Sequence, residues 1–236
     1  MTEAFRRAIR VWAKGNEATC ELEDTFHRFG VTVRHDGARI TEVEARAGRY
    51  PWSTCPMAAV ALKELTGMEV TTDPTVLYRF ADAREHCTHQ FETLGLALTQ
   101  AARGDGERRY EAEVADTPGG PRRARLWIDG VLALDWTIVD GVIAPPSPQA
   151  GRRASSFGSR GVEGLPHDEA EALLILRRAD FLVGGLTVDV DSFASAADYR
   201  ADGICFSYQP ERAAQALRVL GSHRDFQFGD GPKPAA

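Results

Sequence analysis

From residue 5 to residue 46 apolar and polar residues alternate with a period of two, and no other feature constrains the fold as strongly. "AIRVWA", "TCELED", "FGVTVRH" and "RITEVEAR" each read as a strand, with His35-Asp36-Gly37 as a hairpin turn between the last two. Period two gives each strand one core face and one wet face, so an antiparallel sheet is expected. The period then changes. After the rigid loop "RYPWSTCP", "MAAVALKELTG" sets Met57, Val60, Ala61 and Leu65 at helical spacing and stops at Gly67. Pro56 suits the first helical position, which puts Cys55 at the N-cap. A short helix is expected over 74–82. "EHCTHQF" then leads into a helix, "ETLGLALTQAARG", ended by Gly104.

Period two returns after "GDGE" at 104–107. "RRYEAEVAD", "RARLWIDG" and "VLALDWTIVDGVI" read as a three-strand meander with turns at Pro118-Gly119-Gly120 and Asp129-Gly130. A polar loop follows, then a helix, "DEAEALLILRRADFLVGG", with Asp168 as N-cap. "ICFSYQ" reads as a strand and "PERAAQALRVLG" as a final helix before a frayed tail. No internal repeat is evident. The expected fold class is α+β: an antiparallel sheet with two Cys-capped helices over 1–104, followed over 105–236 by a β-rich unit with two helices, packed on the first.

Charge narrows the partners. A net charge of −6 argues against nucleic acid, which needs a concentrated basic face. No apolar run is long enough to span a membrane, and "MTEAFRRAIRVWAKG" lacks the apolar core of a signal peptide. Four cysteines at irregular spacing do not form a disulfide framework, so a reducing cytoplasm is expected. A homo-oligomer stays open.

The chemistry concentrates in four places: Asp24-Thr25-Phe26-His27 at a strand end, Trp52 to Pro56 and His86 to His89 at helix starts, and Cys205. A helix start favours a thiolate, and Cys with His selects zinc or iron. His27, Cys87 and His89 are candidate ligands of one divalent metal. Cys55 is a fourth ligand or a nucleophile, Asp24 a general base or a group that orients a ligand, and His86 a neighbour of the ligands. Cys20 and Cys205 read as small buried hydrophobes, and His35, His167 and His223 as bland. No nucleotide-binding motif is present, so no nucleotide cofactor is expected.

These residues also carry two resemblances. Over 17–103 the order of a meander, "STCPMAAVALKELTG" and "EHCTHQFETLGLALTQA" resembles the iron–sulfur scaffold proteins of the IscU and NifU type. Cys55 matches that family's middle cysteine, His86-Cys87 its His-Cys pair and Asp24 its aspartate. The first scaffold cysteine is replaced here by Leu22. Over nearly the whole chain, "D-x-x-H", "R-x-P-W-x-x-C-P", "C-T-H" and "C-F-x-Y-Q-P-E-R-A" resemble an uncharacterised bacterial family, which implies a setting in the breakdown of aromatic or steroid-like compounds. Three readings follow. One is a metal-dependent hydrolase or C–C lyase acting on a small organic molecule. The others are a metal or iron–sulfur carrier, and a structural or interaction protein.

Overall fold

A computed structural model describes residues 4–115 and 120–230. Eight strands form one antiparallel sheet: β1 (Ala4–Lys14), β2 (Glu17–Asp24), β3 (Arg28–His35), β4 (Ile40–Arg49), β5 (Gly106–Ala115), β6 (Arg122–Ile128), β7 (Val131–Val139) and β8 (Val142–Ile143). Six α-helical segments accompany them: α1 (Ala58–Ala61), α2 (Leu77–Phe80), α3 (Thr88–Arg103), α4 (His167–Leu182), α5 (Ala196–Tyr199) and α6 (Pro210–Ala213). The strand order is β4-β3-β2-β1-β5-β6-β7-β8. It reads outward in the same sequence on both sides of the β1/β5 seam. Four strands and a long helix occur twice, a repeat of architecture that the residues themselves do not betray.

The alternation explains which face is covered. Residues directly opposite in an antiparallel pair share a face. Ile9 lies opposite Leu22 and Tyr110, and Leu22 opposite Phe29, so one apolar row crosses the seam. α3 packs on β1, β2 and β3, and α4 on β5, β6 and β7. Cys20 sits fully buried in this layer, as expected of a small hydrophobe. The opposite face is laced with ion pairs such as Glu113 with Arg6 (2.9 Å) and Arg125 (2.6 Å).

Several elements differ from expectation. "MAAVALKELTG" forms α1 between two 3-10 turns, and it buries Ala58, Leu62 and Leu65 while Met57 and Val60 are exposed. α4 starts at His167 with Pro166 at its N-cap, and Asp168 instead meets Arg103 and Arg108 at 2.8 and 2.9 Å. "ICFSYQ" is not a strand. Its backbone closes a turn (Tyr208 N–H to the Cys205 carbonyl, 2.9 Å) and donates from Phe206 to the His86 carbonyl. The last helix stops at Ala213, because the chain then bridges Leu217 to Ser195 and Arg218 to Trp52. The expected turn at Pro118-Gly119 lies outside the described residues, as do Gly231 to Ala236 of the tail.

Ile9 touches both halves of the sheet from the seam. Ile9→Ala is expected to cost about 2–5 kcal/mol and to shift a single unfolding transition in urea, seen alike by fluorescence and circular dichroism. Two separate transitions would show that the halves fold independently.

Candidate functional site

Asp24 ends β2 and His27 immediately precedes β3, so both belong to a hairpin turn. In a straight strand they would point to opposite faces, and the turn removes that conflict. Asp24 Oδ1 accepts from the backbone N–H of Phe26 and of His27, each at 2.8 Å, and lies 3.0 Å from His27 Nδ1. This is an Asx turn, the local bond that lets a short carboxylate shape the chain ahead of it. Arg49, at the end of β4, holds the turn from outside. Its guanidinium donates to the carbonyls of Asp24, Thr25, His27 and Ser222.

α3 brings the third residue. Cys87 is its N-cap and His89 its second residue, so Thr88 does not serve as the cap. The His89 ring stacks on His27 with centroids 3.8 Å apart. His89 Nε2 lies 4.0 Å from Asp24 Oδ2, and both atoms are buried without a hydrogen-bond partner. Asp24, His27 and His89 offer ligand atoms all within 4.8 Å of one another. Among the described residues this is the one such group.

Electrostatics fits these roles. Burial alone would raise the Asp24 carboxyl. The nearby His27 ring and its hydrogen bond, the Arg7 cation and the Phe26 N–H outweigh it and hold Asp24 below the ordinary carboxylate value. Burial, then the charges of His27, Arg7 and Arg178, push His89 well below the ordinary imidazole value. Asp24 is therefore ionised and His89 neutral near pH 7.

Cys55 and Cys87 do not join this group, and neither behaves as expected of a helix start. The N-cap before Cys55 is Thr54, and burial pushes the Cys55 thiol up to about 12 against the hydrogen bond from Ser207. Burial, then the nearness of Cys55 and Cys205, raises Cys87 too. The helix-end effect is worth about 1 kcal/mol or less, whereas full burial moves a pKa by several units, so burial wins. His86 is also misplaced by the sequence reading. Its Nε2 lies 3.0 Å from Glu64 Oε1 and its ring lines a separate groove. His35 accepts from the Gly37 N–H, His167 pairs with Thr72, and His223 lies against Phe26, so none enters the group.

A cavity of about 300 Å³ opens beside the two imidazoles. Phe26, Phe29, Trp52, Phe181, Tyr199 and Tyr208 wall it, and Cys55, Cys87 and Cys205 also reach it. The "R-x-P-W-x-x-C-P" and "C-F-x-Y-Q-P" stretches interlock here. Trp52 Nε1 donates to the Tyr208 hydroxyl at 2.9 Å, and the Thr54 hydroxyl to Ser207 at 2.8 Å. Sequence reasoning missed Arg7, Arg49, Arg178 and Ser207. Only Arg49 carried a signal, as the first residue of its motif.

All four cysteines are free thiols. Unfolded thiols ionise near pH 9, while folded Cys55 waits until about 12. Its contribution to stability is thus full below pH 9 and is lost as pH rises towards 12. Iodoacetamide at neutral pH is expected to label four cysteines in denatured protein and to spare Cys55 and Cys87 in folded protein. Fast labelling of folded Cys55 would show an accessible thiolate instead.

No helix among the described residues is long and apolar enough to cross a membrane. No curated protein matches the chain. A family model described as a protein of unknown function (DUF2889) matches residues 10–103. That span holds Asp24, His27, Cys55, Cys87 and His89 and ends with α3, whereas the motif resemblance runs on to Ala213. Arg178, Tyr199 and Tyr208 of the cavity wall lie beyond it.

Proposed function

We propose that the chain is a metal-dependent enzyme in which Asp24, His27 and His89 hold one iron or zinc ion beside a cavity for a small organic substrate. The observation that carries this reading is the pair of orphaned atoms, Asp24 Oδ2 and His89 Nε2, 4.0 Å apart. Each buried polar atom left without a partner costs about 1–3 kcal/mol. A cation between them offsets both. Two ligand atoms at bond lengths of about 2.1 Å and tetrahedral angles sit roughly 3.4 Å apart, so a small closure suffices.

Two imidazoles and one carboxylate are a donor set for iron or zinc with positions left open. A metal there supplies polarisation of a carbonyl or activation of water, which suits hydrolysis or C–C bond cleavage. The chain's own residues do the rest. His27 and Arg7 keep Asp24 ionised, burial keeps His89 in its ligating form, Arg49 fixes the turn, and the aromatic walls exclude water. The 3.0 Å Asp24–His27 contact favours a second reading, an acid–base dyad without metal. The iron–sulfur carrier reading fares worse: the donors are oxygen and nitrogen, and the thiols nearby are held protonated.

Elemental analysis after loading with iron or zinc tests this. Wild-type protein is expected to retain one ion per chain, and Asp24→Asn and His89→Ala to lose it. Cys87→Ser should keep it. Arg49→Leu, which removes no ligand, should weaken metal affinity by about 10–100-fold. Wild-type metal content in both Asp24→Asn and His89→Ala would end the metal reading and leave the dyad. A broad visible absorption band in fresh protein would favour the carrier.

A further inference from the structure

The cavity holds a cation that the metal reading does not use. Arg178 projects from α4 into its wall, with the side chain 13% exposed. Its carboxylate neighbour, Glu92, is 3.8 Å away and already bound by Arg7 at 2.7 Å. The Tyr78 hydroxyl and the Arg177 cation also lie beside Arg178. The other arginine at the cavity, Arg200, pairs with Asp202 at 2.9 Å and is neutralised locally. Arg7 and Arg178 thus share one carboxylate, and that carboxylate lies beyond hydrogen-bond distance of Arg178. A buried guanidinium so placed calls for an anion.

The remainder of the wall sets the shape of that anion. Six aromatic rings favour a flat unsaturated body over a flexible aliphatic one. A volume of about 300 Å³ is at the small end of ligand pockets, which suits one or two rings and falls short for a four-ring skeleton. We propose that the cavity takes a planar aromatic or conjugated carboxylic acid, its ring among Phe29, Trp52, Phe181 and Tyr208 and its carboxylate paired with Arg178. The assignment rests on the cavity being the substrate pocket, and it names the substrate class.

Calorimetric titration with cinnamate, cinnamamide and octanoate tests the proposal, on chelator-treated and on metal-loaded protein. Cinnamate is expected to bind about 10–100-fold more tightly than its uncharged amide and more tightly than octanoate. Arg178→Gln should abolish the preference of acid over amide, and Arg200→Gln should preserve it. If Arg178→Gln does not fold, Arg178→Lys decides: weakened binding with the acid still preferred supports the pairing, and unchanged affinity overturns it. Equal binding of acid and amide by wild-type protein, no binding of either, or a preference that survives Arg178→Gln overturns the proposal. Arg178-dependent binding of cinnamate by protein that takes up no metal leaves this inference standing while the metal reading falls. Full metal uptake without acid preference does the reverse.

Discussion

Arg7 is fully buried at the centre of the sheet, and much of the molecule is arranged around that charge. Taking a guanidinium out of water costs several kcal/mol unless partners meet it. One partner is Glu92 of α3, at 2.7 Å, and Asp24 stands opposite Arg7 in the β1/β2 register. Glu92 lies three residues after His89, so the two share a face of α3. The grip of Arg7 on Glu92 therefore fixes the rotation of the helix and aims His89 at Asp24. This buried ion pair docks the helix and sets the geometry of the site, and Arg7 joins His27 in keeping the Asp24 carboxylate charged.

Around this centre the polar parts are locked from several directions. Arg49 takes the carbonyls of the Asp24–His27 turn, and Ser207 and Tyr208 take Thr54 and Trp52. The Trp52 and Thr54 bonds tie the C-terminal segment to the loop after β4, more than 150 residues earlier in the chain. The stacked imidazoles and the rings facing them make one side of the cavity largely apolar and buried. In such a place the Cys55 and Cys87 thiols stay protonated and His89 stays neutral, whatever the helix ends nearby would prefer.

Much of this was legible in the residues. Period two gave the four strands of the first half and the meander of the second, because burial of one sheet face leaves a direct imprint on side-chain alternation. Asp24, His27 and His89 stood out as candidates because their residue types and positions at element ends suit ligands. The failures share a cause. Cys55, Cys87 and His86 were placed by local rules about helix starts, and tertiary burial overrode those rules. Met57 and Val60 fit a helical stripe, yet short 3-10 turns shifted the buried stripe to Ala58, Leu62 and Leu65. "ICFSYQ" is β-prone, but its backbone groups are spent in a turn and on His86 rather than on a sheet edge. Arg178 looks like any arginine on a helix until the fold turns it towards the cavity.

The two halves share an order of elements but not a burden. Between β2 and β3 the connection carries Asp24 and His27. Its counterpart between β6 and β7 is the tight Asp129-Gly130 pair, both residues in the left-handed region, and supplies only a reversal of direction. The groups proposed as ligands thus come from residues 24–89, and much of the cavity wall comes from α4 and the chain beyond it. On the proposed reading, reactivity and selectivity occupy different stretches of one polypeptide. On that reading, substitutions in the second stretch change which guest is admitted while the first keeps its inventory intact.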